Sequence, residues 1–524
     1  MMYKPIASIL AVSCITMLLA GGAFAFSPGD TIVGDVFVAG IDGWADPYVP
    51  IGTDVPPNWG LLLGDDQSLS ESNNEITGSN TSTRRDDAMS QTFIKTNSTT
   101  PSVYTLSAKV GTWDDDGYGL VFGYADESNY FRVGVRQQTG DSYGFSSGIT
   151  VHKVVAGVHS LVKQDLTCVP SLPYNNGMHY DLSVTVDGTT GAYSVKANPA
   201  GGAMVEYLSG TDTDLANMAV GHYGVHSWAQ DVDASAATGP CRERGTLIEE
   251  IAVASTTLNE TTVFADALPV AWRALEMTNA DGVKLWGTDI GQSYAAGEDY
   301  GNFRLDFHDG KIKDDTNGYE WASSTAANVD FTGPAIVIDE PGNGDWTNYE
   351  VAVRAECGDN EGPGVLVRVQ DDNTFYRVQF TAEVIGTSND RAPQGMSIQK
   401  CVDDGAGNAV WSELYREDQA APLFIFSPDQ AFDVKVAVTG ATIKVSVIDD
   451  PDGAATPYSW TVVDATDPIL SGSVGLHNWG GSDVTFSAYG GQAGTSLVTA
   501  AVPEPTSLVL LSLLALVGLA LRRR

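Results

Sequence analysis

A chain of 524 residues with 43% hydrophobic content is long enough for more than one core, since single cores seldom grow past about 250–300 residues. Charged residues make up only 18% of it, yet acids outnumber bases 66 to 28 and the formal net charge is -38. Such a surface repels nucleic acid and anionic lipid, which excludes both as partners, and suits a cation-rich exterior where salt and divalent ions screen the self-repulsion.

The chain opens with one basic residue, Lys4, an apolar stretch from Ile6 to Ala20, and the small-residue ending Ala23, Phe24, Ala25. Residues 1–25 therefore read as a signal peptide with an A-x-A cleavage site. Cys14 lies inside it, but Ala11 stands where a lipoprotein signal wants a larger aliphatic residue. Of the 5 cysteines, removal of the leader leaves Cys168 and Cys241 in the first half and Cys357 and Cys401 in the second. An even number in an exported chain favours disulfides, and the simplest pairing is Cys168 with Cys241 and Cys357 with Cys401. The rival reading, zinc, finds no CxxC pair or neighbouring histidine.

Beyond the leader the dominant pattern is strict alternation, as in Tyr104 to Val110, Tyr180 to Val186 and Phe432 to Val438. Period-two segments are half-buried strands, and turn clusters such as Asp187, Gly188 and Asp452, Gly453 separate them. With 56 glycines and no long 3.6-period stretch outside the two terminal signals, the fold is expected to be all-β, an antiparallel sandwich.

Between two such strands lies Asp114, Asp115, Asp116. Hard carboxylate oxygens there either hold Ca²⁺ or line a solvated hairpin turn. Calcium takes 6–8 oxygen ligands, so adjacent aspartates need help from backbone carbonyls or from another loop, with Asp126 as a candidate. Downstream, Gly144 to Gly148 satisfies G-x-S-x-G, whose nucleophile elbow needs a strand-to-helix turn that an all-β chain does not provide. His226 and Trp228, two apart on one strand, suit either a stacking platform for a sugar or a buried tryptophan with a hydrogen-bonded histidine. His222 and His226 are also same-face neighbours, but of the two only His226 has a counterpart later in the chain, His477, so a metal pair is discounted.

Offset by 245 positions, Tyr104 to Val133 falls on Tyr349 to Val378 without a gap. Tyr104, Asp114, Gly117, Gly119, Asp126, Arg132 and Val133 meet Tyr349, Asp359, Gly362, Gly364, Asp371, Arg377 and Val378. Later, YDLSVTVDG from Tyr180 aligns with FDVKVAVTG from Phe432, and GVHSW from Gly224 with GLHNW from Gly475, so that His477 and Trp479 repeat His226 and Trp228. The repeat places one domain at 27–262 and a second at 263–495. In the second copy Asp359, Asn360 and Glu361 form the weaker equivalent of the acidic turn. Arg132 and Arg377, each preceded by two aromatics, read as ladder or ion-pair residues.

The run from Asp114 to Tyr124, the aromatic strand Tyr130 to Val135 and the late GVHSW strand together resemble the thrombospondin C-terminal domain, one of the concanavalin A-like, laminin-G-like sandwiches. The resemblance implies two tandem jelly rolls that bind calcium and carbohydrate or matrix proteins, a role in cell adhesion. The aspartate-rich repeats that precede the domain in thrombospondins are absent, so extensive calcium loading is not carried over. Sandwiches of this type also include glycoside hydrolases, which set two carboxylates across the scissile bond. Their E-x-D strand occurs nowhere in this sequence, and a secreted hydrolase would need dispersed carboxylates. The expectation is a noncatalytic protein, with bivalency raising avidity where both copies bind.

The chain closes on a third signal. Pro503, Glu504 and Pro505 precede an apolar run from Leu508 to Leu521 and the cluster Arg522, Arg523, Arg524, which resembles the PEP-CTERM sorting signal at 502–524. The run is shorter than the roughly 20 residues that span a bilayer comfortably, and the arginines hold its end on the cytoplasmic side. The resemblance implies that an exosortase-type transpeptidase cuts near the motif and transfers the body to the envelope, cell surface or an extracellular polysaccharide matrix. Contact with the membrane is then confined to this hydrophobic helix before processing.

Overall fold

The computed structural model describes residues 27–46, 58–63, 68–72, 90–112, 117–136, 148–167, 179–198, 202–228, 246–275, 303–307, 310–314, 335–358, 360, 362–382, 394–418, 420–453, 455–479 and 484–501. Alternation does what the sequence leads one to expect. In Val103–Thr112 the side chains of Tyr104, Leu106, Ala108 and Val110 are buried while Thr105, Ser107 and Lys109 lie nearer the surface. Each large apolar group so buried contributes about 1.5–3 kcal/mol.

The strands build two antiparallel jelly-roll sandwiches. The first front sheet runs Val158–Asp165, Gly148–Val155, Asn129–Arg136, Gly117–Asp126, His222–Trp228, Ser90–Lys95, Trp44–Ala45. The second runs Ala409–Arg416, Gly395–Asp403, Thr374–Thr381, Gly362–Asp371, Ser473–Trp479, Ala335–Ile338, Trp272–Ala274, the same order strand for strand. The back layers correspond as well. Val205–Thr211, Ala192–Ala197, Tyr180–Asp187, Val103–Thr112 and Thr246–Ala254 lie side by side in the first copy, and Thr456–Val463, Thr442–Asp449, Phe432–Thr439 and Tyr349–Glu356 in the second.

The back layers are not separate. Among the described residues they form one 17-stranded sheet. Leu69–Ser72, beside Thr246–Ala254, pairs with Asn58–Leu62, which pairs with Phe303–Asp306, then Lys311–Asp314, then Val484–Ala488, beside Tyr349–Glu356. The crossing point joins equivalent hairpins head to head, with Leu61 opposite Leu305 and Gly60 opposite Asp306. A Cβ on Gly60 would sit 2.5 Å from the Leu305 carbonyl oxygen, so the close approach requires glycine. Phe307, from the second copy's sequence, stacks on Phe93 of the first at 5.8 Å, and Phe93 stacks in turn on Trp59 at 5.5 Å. One apolar core therefore runs through both sandwiches.

Two memberships depart from the repeat. Thr31–Val33, early in the chain, pairs with Val498–Ala500 in the second copy's back layer. Asn259–Val263 pairs with Thr246–Ala254 and closes the first. Strand exchange thus crosses the expected boundary at 262.

Candidate functional site

The outer faces of the two front sheets collect the polar residues that the repeat singles out. In the first copy, Tyr118, Leu120, Phe122, Phe131, Val133, Val135, Ile149 and Val151 point into the inter-sheet core. Alternation then turns Gly119, Arg132, Gly134, Thr150, His152 and His226 to the other side. They are buried nonetheless, Arg132 at 0% exposure and His226 at 1%.

His226 donates from Nε2 to the Val133 carbonyl oxygen at 2.9 Å. Its ring rests where two glycines face each other across strands, Gly119 opposite Gly134. A Cβ on Gly119 would stand 2.0 Å from the Val133 oxygen and 3.2 Å from Nε2, which is why glycine recurs here as Gly364. Burial first and the Arg132 charge second push the His226 pKa down to about 3. Burial, with Arg132, His226 and His159 as further causes, brings His152 down to about 2. Both rings are neutral at ordinary pH and do not serve as proton shuttles there.

The second copy keeps the pair and changes its surroundings. Arg377 is fully buried beneath the Trp411 ring, 4.6 Å from its centroid, and donates from Nε to Gln399 Oε1 at 2.9 Å. Gln399 occupies the cross-strand place that His152 holds opposite Arg132. Gln379 replaces Gly134 opposite the conserved glycine and donates to the Gly362 carbonyl at 2.7 Å. His477 is fully buried, and desolvation with the Arg377 charge lowers its pKa well below the ordinary value.

The remaining sequence-level candidates fall as follows. Asp114, Asp115, Asp116, Asp359 and Glu361 lie outside the described residues, as do Cys168, Cys241, most of the G-x-S-x-G segment and the tail residues Pro503, Glu504, Pro505, Arg522, Arg523 and Arg524 with their helix. The side chains of Trp228 and Trp479 also lie outside them. Asn360 uses its backbone carbonyl to accept from the Ala382 N–H at 2.8 Å and the Thr381 hydroxyl at 3.1 Å. Asp126 is described, while the acidic turn it was expected to help lies outside the described residues. Asp126 ends the strand Gly117–Asp126, and its Oδ1 accepts from Ser128 N and Asn129 Nδ2, fixing the hairpin tip. Asp371 does the same for Asn373 N.

The expected Cys357–Cys401 disulfide is not made. Cys357 lies in the inter-sheet core, whereas alternation turns Cys401 to the outer side of the second front sheet beside Leu366 and Phe375. Burial pushes the Cys401 thiol up to about 12. The conceivable histidine pair is also separated in its bonding, since His222 Nδ1 lies 2.7 Å from the Ser98 carbonyl oxygen and His226 binds Val133. Among the described residues no group of three or more His, Cys, Asp or Glu is arranged to hold a metal ion.

Sequence reasoning missed a repeated ion pair. Lys153 bridges Asp212 at 2.8 Å and Asp214 at 2.6 Å. Lys400, in the corresponding strand, bridges Asp464 at 2.8 Å, and Tyr376 donates to the same carboxylate at 2.7 Å. Burial raises the Asp464 pKa, but the hydrogen bonds from Lys400 and Tyr376 outweigh it and the net shift is downward. No short motif marks these pairs, because their members lie far apart in sequence.

Residues 501–524 match the PEP-CTERM protein-sorting motif, a C-terminal signal for export to the surface of bacteria. Among the described residues no helix is long and apolar enough to cross a membrane. The chain has no match among curated proteins. Among solved structures it is similar to peanut lectin at 10% identity, over 39% of this chain and 93% of the lectin, with a TM-score of 0.24. It is also similar to the LG4-5 domains of the mouse laminin α1 chain at 9% identity, over 89% of this chain and 85% of that one, TM-score 0.19, and to the chicken liver agglutinin CG-16 at 14%, over 29% and 90%, TM-score 0.18. At these scores the likenesses carry no argument about ligands, and the jelly-roll fold rests on the strand pairing itself.

Proposed function

We propose that the chain is an exported cell-surface or extracellular-matrix protein whose fused sandwiches bind glycan or protein without catalysing a reaction, and that its tail is a substrate for an exosortase-type transpeptidase. The observation that carries this reading is where the hydrogen-bonded back sheet meets the sorting motif. The back sheet is hydrogen-bonded as far as Ala501, whose N–H reaches the Asn348 carbonyl at 3.1 Å, and the sorting motif begins at that residue. What the signal delivers is therefore the double sandwich. Two copies in one continuous sheet hold their equivalent surfaces at a fixed spacing, the geometry in which a second binding event gains most from the first. The buried Arg–His pairs are framework in this reading, and ligand contacts belong to exposed loops.

Calcium at the Asp114–Asp116 turn is a further part of the proposal, carried by the carboxylate cluster in the sequence. A glycan array probed with residues 26–501, with and without Ca²⁺, tests both parts. Calcium-dependent retention of a glycan class supports them. Retention unaffected by chelator removes the calcium, and release of shortened sugars would replace the binding protein with a hydrolase.

A further inference from the structure

The second sandwich borrows its closing strand from the far end of the chain. Thr31 stands opposite Thr499 and Val33 opposite Val498. Gly29 N–H donates to the Ala500 carbonyl at 2.9 Å, Ala500 N–H to the Asp30 carbonyl at 2.8 Å, and Leu497 N–H to the Gly34 carbonyl at 3.0 Å. The Asp35 carboxylate accepts from Gly494 N–H at 2.5 Å. Val33, Val36 and Phe37 of the same segment are buried at 4%, 1% and 6% exposure. In the first copy the equivalent edge is covered by Asn259–Val263, which arrives through a tight turn in which Ser255 N–H bonds the Leu258 carbonyl at 2.8 Å. A local hairpin has no choice of partner. The N-terminal strand does, because it is tied to the first front sheet only through the stretch before Trp44, which holds Gly40 at φ +103° and Gly43 at φ +74°.

We propose that the edge of Val498–Ala500 also receives the N-terminal strand of a second copy of this chain, so that molecules associate head to tail by exchanging residues 29–37. The donor and its acceptor lie at opposite ends of one sequence, and every molecule carries one of each. Exchange reproduces the same backbone bonds and the same buried side chains between molecules that one molecule makes within itself, so no new surface is needed, and only the glycine-bearing connection changes conformation. The contact is heterologous, so it propagates as a filament unless rotation closes a ring. Because the acceptor strand ends where the sorting motif begins, neighbouring molecules are joined beside their points of attachment.

The test mixes a Thr31→Cys chain with a Thr499→Cys chain at high concentration, warms and recools the mixture, oxidises it and maps peptides. The doubly substituted chain, oxidised before mixing, is the locked control. The proposal expects a 31–499 link between the two single variants, wild-type oligomer that falls on about tenfold dilution by mass action, and a locked control that stays monomeric. An internal link in the double variant with no link between single variants at any concentration overturns exchange. Failure of the link even in the double variant overturns the strand pairing itself.

Discussion

Among the described residues the two copies share the strand order of their front sheets and differ in what fills the gaps between strands. At the bulge after Phe122 the first copy has Gly123 at φ +59°, while at the bulge after Val367 the second has Arg368 at φ +55°. The first solution is cheap in backbone strain and lets Gly123 pack closely against the Met218 carbonyl, where a Cβ would stand 2.5 Å from the oxygen. The second places a non-glycine residue in the left-handed region, at a cost of about 1–2 kcal/mol, and uses its guanidinium to bond the carbonyls of Gly440 at 2.5 Å, Thr347 at 2.8 Å and Ile469. Topology has been kept while the polar pins were exchanged. The comparison teaches that hydrogen-bonded strand order, more than any particular buried pair, defines the repeat.

That contrast is broken first by the ion pairs. The side chains of Lys400 and Asp464 are only 9% and 3% exposed, and Lys400 also bonds the Thr466 carbonyl at 3.0 Å, whereas Lys153 is 21% exposed. Lys400→Met, which strands a buried carboxylate, is expected to cost about 3–5 kcal/mol in a denaturant melt. Lys153→Met should cost about 1–2 kcal/mol, because water reaches its partners more readily. Equal costs would mean that the two pins are equivalent.

Arg368→Gly comes next. It relieves the left-handed strain but leaves three carbonyls without their donor, and a net loss of about 2–4 kcal/mol is expected by urea unfolding. A neutral outcome would show that the first copy's solution serves equally well in the second.

Acid sharpens the comparison with the smallest effect. His226 and His152 have folded pKa values of about 3 and about 2, below the ordinary value of 6.5, so the unfolded chain binds more protons as pH falls. Their stabilisation is complete above pH 6.5 and is lost as pH drops toward those folded values, at about 1.4 kcal/mol per pH unit for each ring. The second copy has Gln399 in place of His152, so at this site His477 alone among the described residues is left to charge. Hydrogen-exchange protection, taken relative to the chemical exchange rate at each pH, should therefore fall more from pH 7 to pH 5 in Asn129–Arg136 than in Thr374–Thr381. His152→Gln should narrow the gap.

Much of this was legible in the sequence. The alternation of Tyr104 to Val110 gives strand and face, and the ungapped match of Tyr104–Val133 with Tyr349–Val378 gives the duplication, because both depend on neighbours along the chain. What pairs over long distances was not. Nothing near Thr31 announces Thr499, and nothing near Gly60 announces Leu305, since an edge strand is chosen by whatever remains unpaired after the rest has folded. Cys357 and Cys401 fit a disulfide by count and compartment but fail by facing, which only the register of Gly395–Asp403 decides.

The central claim is that the copies form one body through the shared back sheet, and cutting the chain between them tests it most directly. A protease site inserted between Ala267 and Val270, ahead of the second front sheet's Trp272–Ala274, and cleaved in the folded protein severs the covalent link but leaves the pairings of Asn58–Leu62 with Phe303–Asp306 and of Thr31–Val33 with Val498–Ala500 intact. The two fragments should then elute together in size exclusion at the mass of the uncut chain and melt in a single transition. Separation into two independently folded fragments, each with its own melting temperature, would contradict the account.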